Sequence, residues 1–296
     1  MDFAAIHAFV LVAELKTFTA AAAQLNITAS GVSKAIARLE ANTGVRLMNR
    51  TTRSLSLTPD GQLFLARCRS ALQELGDARE MLSRTGDEPR GVIRISMPAA
   101  YGRLRIIPRL ADLLARYPAL SIEANVSDRR AALVEEGYDL AIRIGALPDS
   151  RLIARRIDSA RFIVCASPAY LARSGTPRAP EELAAHACVV SRSASTGRPM
   201  PWRLRDSAGT KYEAVPESRF SIDNGEALID AALAGAGLVY IHSYMVQANL
   251  DAGNLVSVFE THLRDADPIF AVFQQVKSVS PKVRAVVDYL AASLGQ

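Results

Sequence analysis

The chain has 296 residues, 49% of them hydrophobic and 22% charged, a balance that excludes disorder and leaves length for two or more domains with cores of their own. No stretch nears the ~18 uninterrupted apolar residues of a membrane span. The start, "MDFAAIHAFVLVAELK", has an acid at Asp2 and a helical pattern where a signal peptide would be basic and then uniformly apolar, so the expected location is the cytoplasm.

The formal net charge of +5 is modest, and its distribution matters more than its size. Between Thr28 and Thr58 lie five basic residues, Lys34, Arg38, Arg46, Arg50 and Arg53, against the single acid Glu40. A basic segment on a nearly neutral body implies an anionic partner met at one end, nucleic acid before membrane.

Taken in chain order, "TAAAAQL" from Thr19 to Leu25 joins a capping hydroxyl to strong helix formers. "NIT" then turns the chain, and Thr28 caps a second helix. At ~100° per residue, Ala35, Ile36 and Leu39 fall on the side of Val32, whereas Ser30, Lys34, Ala37, Arg38 and Ala41 take the far side. Two short helices joined by a tight turn, the second with exposed hydroxyl and basic groups, form a helix-turn-helix. The small alanines let the first helix sit close against the second. After Gly44, "VRLMNR" and "SLSLT" alternate as two short strands bracketed by Arg50 and Arg53. This is a basic β-wing, suited to a phosphate or the narrow groove.

"FTAAAAQLNITASGVSKAIARLE" followed by "GVRLMNRTTRSLSLTPDG" resembles the winged helix-turn-helix of LysR-type transcriptional regulators. The resemblance implies duplex DNA at a promoter or operator as partner. It marks Thr28, Ser30, Ser33, Lys34, Arg38, Arg50, Thr51 and Arg53 as DNA contacts, with Ser33 and Lys34 reaching bases or phosphates. Such regulators often carry a glutamine just after the helix cap; here stands Ala29, which removes a reader of adenine edges.

Thr58, Pro59 and Asp60 open a third element as cap, first-turn proline and acid at the positive end, and the helix is expected to run to about Ser83. Leu65, Cys68, Leu72, Leu75, Arg79 and Leu82 recur at spacings of three and four, a two-helix seam. Such a stripe is either intramolecular core or a dimer contact. With "RTGDEPRG" reading as a linker beyond it, dimerisation through Leu65, Cys68, Leu72, Leu75 and Leu82 is the favoured expectation. LysR-type regulators use a linker helix in this way, as dimers or tetramers.

From Gly91 the pattern changes to α/β, with strands expected to be parallel: "GVIRIS", "LSIEANVS", "YDLAIRIG", "LIARRI", "RFIVCAS", "CVVS", "GLVYIH", "LVSVF" and "IFAVFQQ". Helices are expected over 103–116, in "RRAALVEEG", and near 168–174, 225–234, 243–252 and 281–294. The layout resembles the effector domain of the same family, itself similar to periplasmic binding proteins. The organisation is then a winged helix-turn-helix head over 1–58, a linker helix and hinge over 59–90, and an effector-binding α/β domain over 91–296. Its subdomain I covers about 91–161 and 266–296, and its subdomain II about 162–265. "SDRRAALVEEGYDLAIRIGALPDSRLIARRI" and "DNGEALIDAALAGAGLVYI" look closest to regulators of aromatic and small-acid catabolism.

Ligands in such folds sit where strands end and helices begin, here "SMPAAYG", "IRIGALP" and "SIDNGE". The candidate effector residues are Ser96, Pro98, Ala100, Tyr101, Arg143, Ile144, Gly145, Asn224 and His242. Two helix N-termini with unpaired N–H groups would suit a carboxylate, so a small organic acid is the expected effector. Alternatives stand beside several of these. Tyr101 is cleft wall or core; Arg143 pairs a ligand or braces Asp139 or Glu136; Asn224 is a ligand contact or a simple cap. Ala100 replaces a hydroxyl common in relatives, and His242 stands where they frequently carry proline.

No enzyme is expected: GxSxG, HExxH and a Walker loop are absent, and His7, His186, His242 and His262 are too scattered for a metal cluster. No cofactor or metal is implied, no membrane partner is expected, and RNA polymerase is a further partner that the resemblance implies. Cys68, Cys165 and Cys188 read as reduced, buried thiols, a Cys165–Cys188 redox pair being the alternative. The competing function, a solute-binding protein for transport, fits the cleft alone and not the basic head.

Overall fold

A computed structural model of the chain describes residues 2–50, 55–82, 88–147, 152–194, 196–274 and 279–295, apart from the side chains of Arg50, Ser70, Gln73, Glu74 and residues 77–82. Contacts divide the chain into two units, Met1–Glu88 with Ala131–Asp139, and Pro89–Arg130 with Leu140–Gln296.

The first unit is built around α1 (Phe3–Leu15), which is apolar on nearly every side and has most of its residues buried. Helix α2 (Phe18–Leu25) starts at Thr17, whose hydroxyl accepts from Ala20 N at 3.2 Å, so Thr17 and not Thr19 is the cap. Ala21 and Ala22 of the alanine run are buried, which lets α2 lie close to its neighbours. Asn26, in the left-handed conformation at φ 54°, ends the helix, and α3 (Ala29–Thr43) begins at Thr28, which accepts from Gly31 N at 3.1 Å. Val32, Ala35, Ile36 and Leu39 form the buried face of α3, the face that helical spacing predicts.

Gly44, at φ 73°, releases the chain into the wing, where β1 (Met48–Arg50) pairs antiparallel with β2 (Leu55–Leu57). The Glu40 carboxylate fixes the approach to β1 by accepting from Leu47 N and Met48 N at 2.8 and 3.1 Å. Helix α4 (Pro59–Leu82) follows, capped by Thr58, whose hydroxyl accepts from Gly61 N. A Cβ on Gly61 would lie 1.9 Å from the Leu47 carbonyl oxygen, so the start of α4 rests directly on the strand backbone. Phe9 and Phe64 rings, 5.5 Å apart, and the Arg69–Glu14 ion pair at 2.8 Å tie α4 to α1.

In the second unit one sheet has the order β4-β3-β5-β14-β6, from β3 (Gly91–Met97), β4 (Leu120–Val126), β5 (Leu140–Ile144), β6 (Leu152–Ala160) and β14 (Asp267–Gln274). The other has the order β11-β8-β12-β7-β13, from β7 (Phe162–Ala166), β8 (Cys188–Ser191), β11 (Phe220–Ile222), β12 (Leu238–His242) and β13 (Val256–Val258). Both are mixed, which corrects the all-parallel expectation. β3, β4 and β5 are parallel, as are β8, β11 and β12, but β14 returns antiparallel between β5 and β6, and β7 runs antiparallel to β12 and β13.

Helices α6 (Ile107–Arg116) and α10 (Pro281–Leu294) cover the first sheet, and α8 (Gly225–Leu233) packs on the second, with α7 (Pro168–Ser174) and α9 (Ser243–Asp251) nearby. A hairpin of β9 (Trp202–Arg205) and β10 (Lys211–Ala214) completes the unit.

Two helical expectations change. The 103–116 helix is divided into a π-helical turn over Gly102–Ile106 and α6, with a short turn α5 (Ala99–Tyr101) ahead of them. Pro108, in the first turn of α6, has no N–H with which to continue an α-helical ladder backward. "RRAALVEEG" forms turns instead of a helix. Glu136 reaches back to accept from Ala132 N at 2.8 Å, and Gly137 at φ 71° ends the segment.

The cysteines answer their own alternative. Cys165 is the cross-strand partner of Val239 and Cys188 of Leu238, so the two side chains take opposite faces of the sheet and belong to separate cores. Burial raises both thiols to about 12 and Cys68 to about 11, keeping them protonated.

Candidate functional site

On the head, the face of α3 opposite its core carries Ser30, Lys34, Ala37 and Arg38, all exposed, with Ser33 half-buried at its border. The Thr28 hydroxyl is engaged as a cap and lies 3.0 Å from Ser30 Oγ. Arg38 approaches Asp2 at 4.0 Å, an exposed contact that water screens and that leaves the guanidinium available. Small, hydroxylic and cationic groups on an exposed helix face are what entering a major groove requires: no bulk, hydrogen-bonding capacity and charge of the right sign. Thr51, Arg53 and the Arg50 side chain lie outside the described residues.

The proposed seam on α4 needs correction. Leu65 and Cys68 are buried in the head's own core and Leu72 packs against it, because the first half of α4 lies on the head's helices. Leu75 is exposed, and the Leu82 side chain lies outside the described residues. Spacing identified a packed stripe without saying which partner fills it.

The second unit contains a cleft of about 490 Å³, within the range of small-molecule sites. Its position follows from the sheets. The carboxyl ends of the three parallel strands β3, β4 and β5 supply Pro98 to Ala100, Val126 to Arg130, and Arg143 with Ile144. The carboxyl ends of β8, β11 and β12 supply Ser191 to Ala194, Asp223 to Glu226, and His242. Strand polarity thus directs six loops and the helix starts behind them into one space.

Of the residues expected there, Pro98, Ala100, Arg143, Ile144, Asn224 and His242 line the cleft. Three do not. Ser96 is buried behind the wall and accepts from Arg143 Nη1 at 3.4 Å. Tyr101 is core, donating to Asp158 Oδ2 at 2.6 Å, and burial together with that carboxylate pushes its pKa up. Gly145 turns away, its N–H given to the Pro268 carbonyl at 2.9 Å. The sequence reading missed the loops after β4 and β8, although the rule that located the other three applies to them equally. It also missed the aromatic wall of Phe162, Trp202, Tyr240 and Tyr244.

Five arginines, Arg103, Arg129, Arg130, Arg143 and Arg192, border the cleft against Asp128, Asp223 and Glu226. Two of the three acids are engaged: Asp128 accepts from Ala99 N at 2.9 Å, and Glu226 pairs with Arg103. The helix starts are also partly used, since the Asn224 side chain accepts from both Glu226 N and Ala227 N. Asn224 is therefore a cap, and the guanidinium groups carry more of the site's positive character than the helix ends do. Burial lowers the His242 imidazole to about 4, so it is neutral near pH 7. Among the described residues no group of three or more His, Cys, Asp or Glu side chains converges for a metal, and no helix is long and apolar enough to cross a membrane.

Residues 3–62 match the family described as bacterial regulatory helix-turn-helix protein, lysR family, and residues 86–295 match the LysR substrate binding domain. The chain is 35% identical to the HTH-type transcriptional regulator CrgA of Neisseria meningitidis serogroup B, over 97% of this chain and 95% of that one. It is 30% identical to the HTH-type transcriptional activator AaeR of Escherichia coli K12, over 95% and 90%. Among solved structures, CrgA from Neisseria meningitidis superposes with a TM-score of 0.63 at 34% identity over all of both chains. The full-length Vibrio cholerae virulence activator AphB does so with 0.64 at 27% identity over 99% of each. These relatives are named as transcriptional regulators and not as enzymes. The chain belongs to the LysR family of transcriptional regulators, joining a helix-turn-helix DNA-binding domain to an effector-binding domain of two α/β subdomains.

Proposed function

We propose that the effector is a small organic acid and that it acts on a DNA-bound homodimer or tetramer in the cytoplasm. The observation that carries the acid is the excess of guanidinium groups over carboxylates around the cleft, which remains once Arg103 and Glu226 are paired with each other. Arg143, braced by Ser96 Oγ and the Ile142 carbonyl, is the favoured partner for the carboxylate, since a guanidinium held in place loses less freedom on binding.

On the head, α3 enters the major groove through Ser33, Lys34 and Arg38, with Thr28 and Ser30 at its leading end. The wing lies on the backbone through Arg50, Thr51 and Arg53. Self-association uses the outer part of α4, where Leu75 is exposed, and presents two recognition helices to half-sites one turn of duplex or a multiple apart.

The test is a thermal-shift comparison of small carboxylic acids with their own amides on the full-length protein. An acid at ~100 times its dissociation constant adds about 2.7 kcal/mol of stability, and its amide adds little. If amides stabilise the protein as well as acids do, the cleft does not read a carboxylate.

A further inference from the structure

The segment Ala131–Asp139 is continuous with the effector-binding unit on both sides in sequence, yet its contacts group it with Met1–Glu88. The residues that flank it belong to the cleft. Ser127 to Arg130 line the cleft immediately before the segment, and β5, which starts at Leu140 directly after it, carries Arg143 and Ile144 there. This short stretch therefore has both ends tied to the cleft.

Its middle rests on α4. A Cβ at Gly137 would lie 3.4 Å from the Ala66 carbonyl oxygen, 3.9 Å from Ala66 Cα and 3.9 Å from Arg69 Cβ, which is contact distance. Ala66 and Arg69 are one turn apart and share a face of α4. Leu65 and Cys68 beside them are in the head's core, and Arg69 pairs with Glu14 of α1, the helix on which α3 packs. A displacement at Gly137 thus meets α4 where α4 is joined to the rest of the head. The segment also holds its own shape. Glu136 N and Tyr138 N donate to the Ala132 and Leu133 carbonyls at 2.9 Å, Glu136 Oε1 accepts from Ala132 N at 2.8 Å, and Ala131 and Leu133 are buried. Turns closed by their own hydrogen bonds move as a piece when one end is pulled.

We infer that Ala131–Asp139 couples the cleft to the head: an acid drawn to Arg130 or Arg143 shifts the segment, and with it the contact of Gly137 on α4. A contact this small can be made in one arrangement and lost in another without unfolding either unit, and a ligand acts by favouring one of the two. The inference rests on the cleft being the effector site. Because coupling is reciprocal, duplex on the head must act back on the segment, so the test needs no effector.

Hydrogen–deuterium exchange is followed in the full-length protein, alone and saturated with a duplex that it selects from genomic fragments. The proteins are the wild type, Gly137→Asn and Gly253→Asn. Both glycines have φ of 71°, a conformation that asparagine tolerates. Gly253 has nothing within 4 Å of a Cβ, so its variant reports the backbone cost alone, whereas at Gly137 the amide is added beyond a Cβ already at contact distance. In the wild type and Gly253→Asn the duplex should change exchange over residues 127–139 by about fivefold or more, the lower end of such couplings. In Gly137→Asn the change should fall below about twofold. Duplex binding itself should persist, since Gly137 is not part of the exposed face of α3.

Loss of the change in Gly137→Asn but not in Gly253→Asn supports the coupling. No duplex-dependent change over 127–139 in the wild type, a change that survives in Gly137→Asn, or a loss shared by Gly253→Asn overturns it. If Gly137→Asn melts well below Gly253→Asn, Glu136→Ala takes its place, since it removes the bond that closes the turn and adds no bulk; a change retained there overturns the coupling. No acid enters the measurement, so the acid reading can fail in the thermal-shift comparison while the coupling stands, and the reverse.

Discussion

At His242 the protein refuses a proton that the unfolded chain accepts. Its folded value of about 4 lies below the ordinary imidazole value of 6.5, and burial is the cause. Between those two values the unfolded state binds more protons, so stability is fully present above pH 6.5 and is lost as pH falls toward 4. A gap of that size corresponds to roughly 3 kcal/mol, an upper bound for a partly buried ring. Urea unfolding of the wild type should therefore lose about 2 to 3 kcal/mol more than His242→Phe between pH 7 and pH 4. Parallel profiles for the two proteins would mean that the imidazole titrates as freely in the fold as outside it. The same residue shows what a sequence withholds. A histidine after an apolar strand is visible in "GLVYIH", but its stacking on Phe162, eighty positions earlier in the chain, depends on β7 running antiparallel to β12.

Helix α3 separates its duties by face, Val32, Ala35, Ile36 and Leu39 holding the head together while Lys34 and Arg38 stay in solvent. Removing Lys34 should therefore leave folding intact and weaken DNA binding. If its ammonium meets a phosphate, Lys34→Ala lowers affinity for all duplexes and reduces the slope of log affinity against log salt by about 1. If it meets a base edge, the loss falls on the preferred sequence alone. An unchanged affinity and salt slope would remove Lys34 from the interface. Helices such as α3 and α4 were legible because an amphipathic repeat and a cap residue coincide; the 281–294 expectation matches Pro281–Leu294, which opens on a first-turn proline. Where local preference and tertiary context diverge, the reading failed. "RRAALVEEG" is rich in helix formers, yet Ala131 and Leu133 are buried and Glu136 bonds back to Ala132 N. The β9–β10 hairpin was missed although Trp202 and Leu204 alternate inward against Arg203 and Arg205, because strands of four residues are too short for periodicity to stand out. The stripe on α4 was legible as packing, but Leu65 and Cys68 are occupied by the head itself.

For the whole molecule, the two units divide the work of reading DNA and binding an effector, and only a difference in free energy can connect them. An effector that binds every arrangement of the assembly equally shifts none of them, however tightly it binds. If an acid in the cleft changes operator affinity by some factor, the operator must change the acid's affinity by that same factor, with couplings of this kind about 5-fold to 150-fold. The acid that best stabilises the full-length protein should therefore be titrated into free protein and into protein saturated with a duplex that it has selected from genomic fragments. The ratio of the two acid affinities should equal the ratio of operator affinities measured with and without acid. A ratio of one in both directions would separate the cleft from DNA binding and leave the effector a passenger. Unequal ratios would mean that a third equilibrium, the proposed association of protomers, shifts between the two measurements; repeating them at higher protein concentration, where such an assembly would be complete, should bring the ratios together.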